Sequence, residues 1–122
     1  MLTLEQFKEA RAVLRGVISD TALVHSKYFS ALCGNEVYLK PENLQVTGAY
    51  KIRGAYYKTS KLTDAQKAHG LITASAGNHA QGVAYAAQVA GVKATVVMPT
   101  TTPLMKVNRT KQYGAKVILY GA

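Results

Sequence analysis

Lys51 is the residue of this sequence whose position most needs a chemical explanation. The segment TGAYKIRGAYY, residues 47–57, predicts a helix that begins at this lysine. A helix start has free N–H groups and a partial positive charge, so an ammonium there is disfavoured by roughly 0.3–1 kcal/mol. The apolar neighbours predict partial desolvation of the amine, which also favours its neutral form. A neutral amine is what forms a Schiff base with an aldehyde, whereas a solvated surface charge is the ordinary role of a lysine.

The segment TASAGNHAQG, residues 73–82, is a second candidate site, because a predicted strand there gives way to a predicted helix. Such a turn presents free backbone N–H groups, which bind carboxylates or phosphates. Ser75, Asn78 and His79 add side-chain donors to it. A purely structural role is the alternative, with Asn78 as the helix N-cap and Gly77 as the tight turn.

Composition excludes several classes of partner. The chain has 122 residues and a net charge of +9, but its Lys and Arg residues form no cluster of four and no basic stretch interleaved with aromatics. We therefore expect no nucleic-acid partner. The sequence has no run of about 18 apolar residues, so it predicts no membrane span. The first 14 residues do not resemble a signal peptide. Cys33 is the only cysteine, so no internal disulfide can form and a reducing compartment is expected. We therefore expect a soluble cytoplasmic protein, and we expect no metal site.

The elements that must position the two sites follow from local patterns. Thr3 and Gln6 form a capping box, and apolar residues at helical spacing predict a first helix over about residues 4–18. The segment EVYLKPENL predicts a short strand that ends before Pro41, and the lysine-bearing helix is predicted over residues 51–62.

The second half of the chain has a regular alternation. Gly70, Gly91 and Gly114 each follow a helical stretch and precede an apolar run rich in β-branched residues. Between the runs lie two predicted helices, the second opened by Pro103 at its first position. The fold class is therefore α/β, a βαβαβ unit with a parallel sheet and buried strands. Because the sequence stops directly after a strand, we expect it to be a piece of a longer protein.

Two segments together carry a family resemblance. KPENLQVTGAYKIRGA followed by ASAGNHAQG resembles the threonine dehydratases and their serine dehydratase and serine racemase relatives. These are fold-type-II enzymes that depend on pyridoxal 5'-phosphate. The resemblance runs through nearly the whole chain. It implies that residues 1–50 belong to the large domain and that residues 51–122 form an incomplete small domain.

The resemblance also implies roles for individual residues. Lys51 would carry the cofactor as a Schiff base, exchange it for the substrate amine, and then act as a base at the substrate α-carbon. Asn78 would hydrogen-bond the hydroxyl oxygen of the cofactor ring, and Tyr50 would contact the cofactor. The substrate carboxylate would be held by the loop from Ser75 to His79, namely Ser75, Ala76, Gly77, Asn78 and His79. The family's phosphate-binding loop and the partner of the ring nitrogen come later in the chain.

Two departures from the family pattern bear on the reaction. Most relatives have Ser-Phe before the lysine, where this chain has Ala49-Tyr50. Ala76 stands where racemising relatives carry a serine that works on the opposite face of the α-carbon. Because alanine cannot move a proton, the sequence favours a dehydratase over a racemase.

The resemblance implies β-elimination of L-threonine, and of L-serine, to a 2-oxo acid and ammonia by a homo-oligomer of the full-length protein. A serine racemase, a β-replacement enzyme, and a non-catalytic fragment that binds an anion or a partner remain alternatives. The preference between threonine and serine stays open.

Overall fold

The computed structural model describes residues 1–121. Its elements, in chain order, are α1 (Leu4–Leu14), β1 (Val24–His25), α2 (Lys27–Cys33), β2 (Tyr38–Leu39), a 3₁₀ helix (Glu42–Leu44), α3 (Lys51–Ser60), α4 (Asp64–His69), β3 (Leu71–Ala74), α5 (Asn78–Ala90), β4 (Ala94–Met98), α6 (Leu104–Gln112) and β5 (Lys116–Leu119). The α/β class and the parallel sheet of the second half are confirmed.

The parallel sheet has the order β3-β4-β5, with β4 in the middle. Leu71 lies opposite Ala94, and Thr95 opposite Lys116. The entry into β3 requires glycine, because Gly70 has φ +81° and a Cβ at this position would lie 2.9 Å from the carbonyl oxygen of Lys93. The chain thus turns sharply from α4 into the sheet whose far end carries the loop 75–77.

Helix α5 covers one face of the sheet, and small residues let it lie close. The core lies between α5, α6 and the strands, and consists of Ala80, Ala84, Ala87, Ala94, Val96, Met98, Val107 and Ala115. The expectation of buried strands holds for β4, whose side chains alternate between buried and half-buried. It is wrong for β3 and β5 among the described residues, since Ile72 is 77% exposed and Leu119 48%.

The first half of the chain is built from short elements around α3. The predicted capping box of Thr3 and Gln6 is present. Helix α1 ends at Leu14 rather than near residue 18, because Arg15 is extended and Gly16 has φ +78°. The predicted strand is reduced to β2, which pairs antiparallel with β1.

Two helix boundaries and one whole helix differ from the sequence expectation. Helix α3 ends at Ser60, before Leu62, and Thr63 then caps the separate helix α4. Helix α2, capped by Ser26, was not expected from the sequence. Pro103 is the N-cap of α6 instead of its first residue. Within residues 1–121, no helix is both long and apolar enough to cross a membrane.

Candidate active site

Lys51 is the first residue of α3, as the sequence predicts. Tyr50 precedes it as N-cap and makes no side-chain capping hydrogen bond. The Lys51 side chain is exposed, and its Nζ lies 5.2 Å from the centroid of the Tyr50 ring. The expected partial desolvation of the amine is therefore wrong for the described part of the chain. No carboxylate of residues 1–121 forms an ion pair with Lys51, so its amine is available to another group.

The loop of residues 75–77 continues directly from the carboxyl end of β3. The Ser75 N–H donates to the Val97 carbonyl oxygen at 3.0 Å, which extends the sheet pairing by one residue. The Gly77 N–H donates to Ser75 Oγ at 3.3 Å. Ser75 Oγ therefore accepts one hydrogen bond and keeps its own proton for donation, while the Gly77 N–H is already committed.

Helix α5 begins at Asn78 without a side-chain cap. Its N-cap is Gly77, so the structural alternative in which Asn78 caps the helix is wrong. In α1, α2 and α4, by contrast, a hydroxyl of Thr or Ser accepts a first-turn N–H. The uncapped first turn of α5 leaves N–H groups for a ligand, and the side chains of Asn78 and His79 are exposed beside them.

Helices α3 and α5 pack closely against each other, and the contact includes the backbone of Lys51. A Cβ at Gly82 would lie 3.2 Å from the carbonyl carbon of Lys51 and 3.3 Å from the Ile52 nitrogen. Ile52 itself is completely buried. The contact brings the start of the lysine-bearing helix to the second turn of the helix that begins at Asn78.

An ion pair fixes the first turn of α3 from the other side. Arg53 Nε donates to Glu42 Oε2 at 2.9 Å, and Arg53 Nη2 donates to Glu42 Oε1 at 2.7 Å. Thr21 Oγ1 donates to Glu42 Oε1 at 2.6 Å. The hydrogen bonds from the Arg53 guanidinium lower the pKa of Glu42 to about 2, against the opposing effect of burial. This two-point contact ties the 3₁₀ helix to the residue two positions after Lys51.

The segment that leads into Lys51 is also held in place. Gln45, which is 5% exposed, accepts from the Ser19 N–H at 3.1 Å and donates to the Ser19 carbonyl oxygen at 2.8 Å. The Val46 carbonyl oxygen accepts from Tyr113 Oη at 3.3 Å and from Arg109 Nη2 at 3.4 Å. Both halves of the chain therefore position the approach to Lys51.

The structure thus brings together the elements that carry the predicted site residues. Ser75, Ala76 and Gly77 are half-buried in the loop, whereas Tyr50, Lys51, Asn78 and His79 are exposed.

Sequence reasoning missed two positions, Gly82 and Glu42. Gly82 could have been found, because a glycine within an alanine-rich helix indicates a place where another part of the chain comes close. The Glu42–Arg53 pair spans 11 residues and has no periodic signal. Residues 1–121 contain no cluster of His, Cys, Asp and Glu that could hold a metal ion.

The comparison with family models identifies the class. Residues 14–122 match the model described as pyridoxal-phosphate dependent enzyme. The chain therefore belongs to this family, and its α/β architecture is the fold-type-II domain that the sequence predicted.

The similar proteins include threonine ammonia-lyases and a serine racemase. The chain is 53% identical over 121 residues to the L-threonine ammonia-lyase of Thermotoga maritima, with 99% of this chain and 30% of that protein covered. It is 52% identical to a catabolic L-threonine dehydratase of Staphylococcus aureus, with 99% of this chain and 35% of that protein covered. The structure of serine racemase from Dictyostelium discoideum matches with a TM-score of 0.93 and 38% identity, over 99% of this chain and 39% of that one. The chain thus spans about a third of the length of the curated relatives it matches.

Proposed function

We propose that a full-length protein carrying this chain converts L-threonine to 2-oxobutanoate and ammonia, and L-serine to pyruvate and ammonia, with pyridoxal 5'-phosphate as cofactor. The single observation that supports this most strongly is the packing of the Lys51 backbone against α5, the helix whose uncapped first turn follows the loop 75–77. Relatives named as threonine ammonia-lyase and threonine dehydratase support the substrate class.

The residues present match the chemistry that this cofactor needs. An aldehyde requires a lysine amine that is not engaged in an ion pair, and among residues 1–121 Lys51 has no ion-pair partner. An amino-acid carboxylate requires hydrogen-bond donors, and the first turn of α5 supplies N–H groups that no side chain caps. The cofactor, when bound, supplies the electron sink that acidifies the substrate α-carbon.

Each residue of the site then has a defined task. Lys51 would hold the cofactor through its amine, and its Nζ would take the proton from the substrate α-carbon. The Ser75 hydroxyl and the N–H groups at the start of α5 bind the substrate carboxylate, with His79 at the rim. The Asn78 amide would hold the hydroxyl oxygen of the cofactor ring. The Tyr50 ring, whose centroid lies 5.2 Å from Lys51 Nζ, would contact the cofactor. Ala76 and Gly77 line the loop without adding side-chain bulk.

Racemisation of serine is the second candidate, favoured by the TM-score of 0.93 with a serine racemase. It requires a proton carrier on each face of the α-carbon. The methyl group of Ala76 cannot serve at the position where racemising relatives carry serine. Elimination needs only the lysine face, so it is the reaction that these residues support better.

The experiment is a product assay on the full-length protein with each substrate. L-Threonine should give 2-oxobutanoate and ammonia in equal amounts, and the L-serine that remains should keep its configuration. Rapid formation of D-serine would contradict the role given to Ala76. The variant Ala76→Ser is the matched comparison, and it should gain racemase activity if position 76 decides between the two reactions.

A further inference from the structure

Gly82 lies in α5 at a place where no side chain can be added without displacing the lysine-bearing helix. A Cβ at this position would lie 3.2 Å from the Lys51 carbonyl carbon and 3.3 Å from both the Lys51 carbonyl oxygen and the Ile52 nitrogen. All three atoms belong to the rigid backbone of the first turn of α3. No rotamer change can relieve the contact, so one helix has to move relative to the other.

The backbone conformation of Gly82 does not explain why this position is a glycine, because its φ is not positive. Gly54, Gly77 and Gly82 are the glycines of residues 1–121 without positive φ. Gly82 is surrounded along α5 by buried alanines at positions 80, 84, 86 and 87. Alanine is the better helix former, so glycine here lowers helix propensity. Space for the Lys51 backbone is the property that alanine would remove.

The same contact fixes Asn78 relative to Lys51. Asn78 is the first residue of α5 and lies four positions before Gly82, on the same face of the helix. Moving α5 away from α3 at Gly82 therefore also moves Asn78 and the loop before it away from the lysine. Misplacements of this kind reduce rates steeply, by about 100-fold for 1 Å.

We infer that Gly82 is a positioning residue, which sets the distance between Lys51 and the substrate-binding start of α5 by allowing backbone contact between the two helices. The inference rests on the proposed function, because it concerns the same site. Its effect acts through Lys51 and Asn78, and Gly82 itself touches neither substrate nor cofactor.

The test compares Gly82→Ala with Gly54→Ala in the full-length protein. Both substitutions add one methyl group to a helix with ordinary φ, but a Cβ at Gly54 meets nothing within 4 Å. Four quantities are measured: the melting temperature, the circular dichroism of the bound cofactor, kcat for L-threonine, and KM for L-threonine.

Gly82→Ala should stay folded, with a melting temperature within about 5 °C of the wild type. Its kcat should fall at least about fivefold, because a shift of a few tenths of an ångström changes the distance from Lys51 to the bound substrate. Its KM should change less than about twofold, because the groups that bind the carboxylate move together with α5. The cofactor's dichroic band should change in amplitude, since it reports how the bound ring is oriented. Gly54→Ala should match the wild type in kcat, KM and the dichroic band, and its melting temperature should be equal or slightly higher because alanine favours the helix.

Two outcomes would overturn the inference while the proposed function stands. In the first, Gly82→Ala keeps the kcat and the dichroic band of the wild type. In the second, Gly82→Ala fails to fold while Gly54→Ala folds, which would make Gly82 a general packing residue. A wild-type protein that binds no cofactor at Lys51 would instead remove the proposed function, and this inference with it.

Discussion

At the scale of single residues, Lys51 and Asn78 are set at the starts of two different helices. Their helix-start positions could be predicted, because a helix begins where local periodicity begins. The exposure of Lys51 could not, since burial depends on what other parts of the protein pack nearby. The uncapped start of α5 also required the structure, as the sequence allowed Asn78 to be the N-cap.

Asn78→Ala provides the prediction at this scale. The variant of the full-length protein should retain the cofactor but lose turnover of L-threonine by roughly 10- to 150-fold. The reason is the loss of a hydrogen bond to a charged group, worth about 1.5–3 kcal/mol. Steady-state kinetics and the cofactor spectrum measure the effect. Asn108→Ala, at an exposed position of α6, is the matched control and should behave as the wild type.

An unchanged rate and an unchanged cofactor spectrum in Asn78→Ala would show that Asn78 contributes nothing to the site. The helix would still begin at the same place, because Gly77 rather than Asn78 is its N-cap. Thermal stability should therefore change little in either case.

At the scale of elements, local caps were predicted only in part, since the one at Thr3 was found and those at Ser26 and Thr63 were missed. The capping box of Thr3 and Gln6 depends on four consecutive residues and was found in the sequence. The Glu42–Arg53 ion pair joins the 3₁₀ helix to α3, and neither residue marks it locally. Long-range contacts of this kind hold α3 in place. They were missed because no local pattern in the sequence indicates them.

Glu42→Gln tests that ion pair through its pH dependence. The pKa of Glu42 is lowered from 4.5 to about 2 in the folded chain, chiefly by the Arg53 guanidinium. A carboxyl whose pKa is lower in the folded than in the unfolded chain stabilises the fold at pH values above its unfolded-state pKa. This stability is lost as the pH falls from about 4.5 towards 2. At pH 7 the variant should therefore be less stable by about 1–3 kcal/mol.

Urea denaturation of the full-length wild type and variant, repeated at several pH values, measures the difference in unfolding free energy. The difference should be constant from about pH 7 to pH 5 and should shrink below pH 4.5. Glu5→Gln is the control, since its ion pair with Lys8 is exposed and should contribute at most about 1 kcal/mol. A difference between wild type and Glu42→Gln that does not vary with pH would contradict the role of the carboxylate charge.

At the scale of the whole molecule, the parallel sheet has one open face within residues 1–121. One face of the sheet leaves Ile72 77% exposed, whereas parallel sheets usually have both faces covered. The chain covers 30% of its Thermotoga maritima relative. The parallel sheet was predictable from the alternation of elements, but the exposure of its second face depends on tertiary packing and was not.

The 122 residues alone should therefore show no turnover of L-threonine when supplied with pyridoxal 5'-phosphate. In the family that the sequence resembles, the groups for the cofactor's phosphate and ring nitrogen come after the segments matched here. Catalysis tolerates placement errors of only about 0.5 Å. Formation of 2-oxobutanoate is the measurement, with the full-length protein as positive control. Turnover near that of the full-length protein would show that those groups are dispensable.

Reduction of the cofactor-loaded full-length protein with borohydride, followed by peptide mapping, tests the central claim most directly. The label should lie on Lys51, at the start of α3, and should be absent from Lys58 in the last turn of the same helix. Lys51→Ala should abolish both labelling and turnover, while Lys58→Ala should change neither. A label on Lys58, or undiminished labelling in Lys51→Ala, would contradict the assignment of Lys51 as the residue that binds the cofactor.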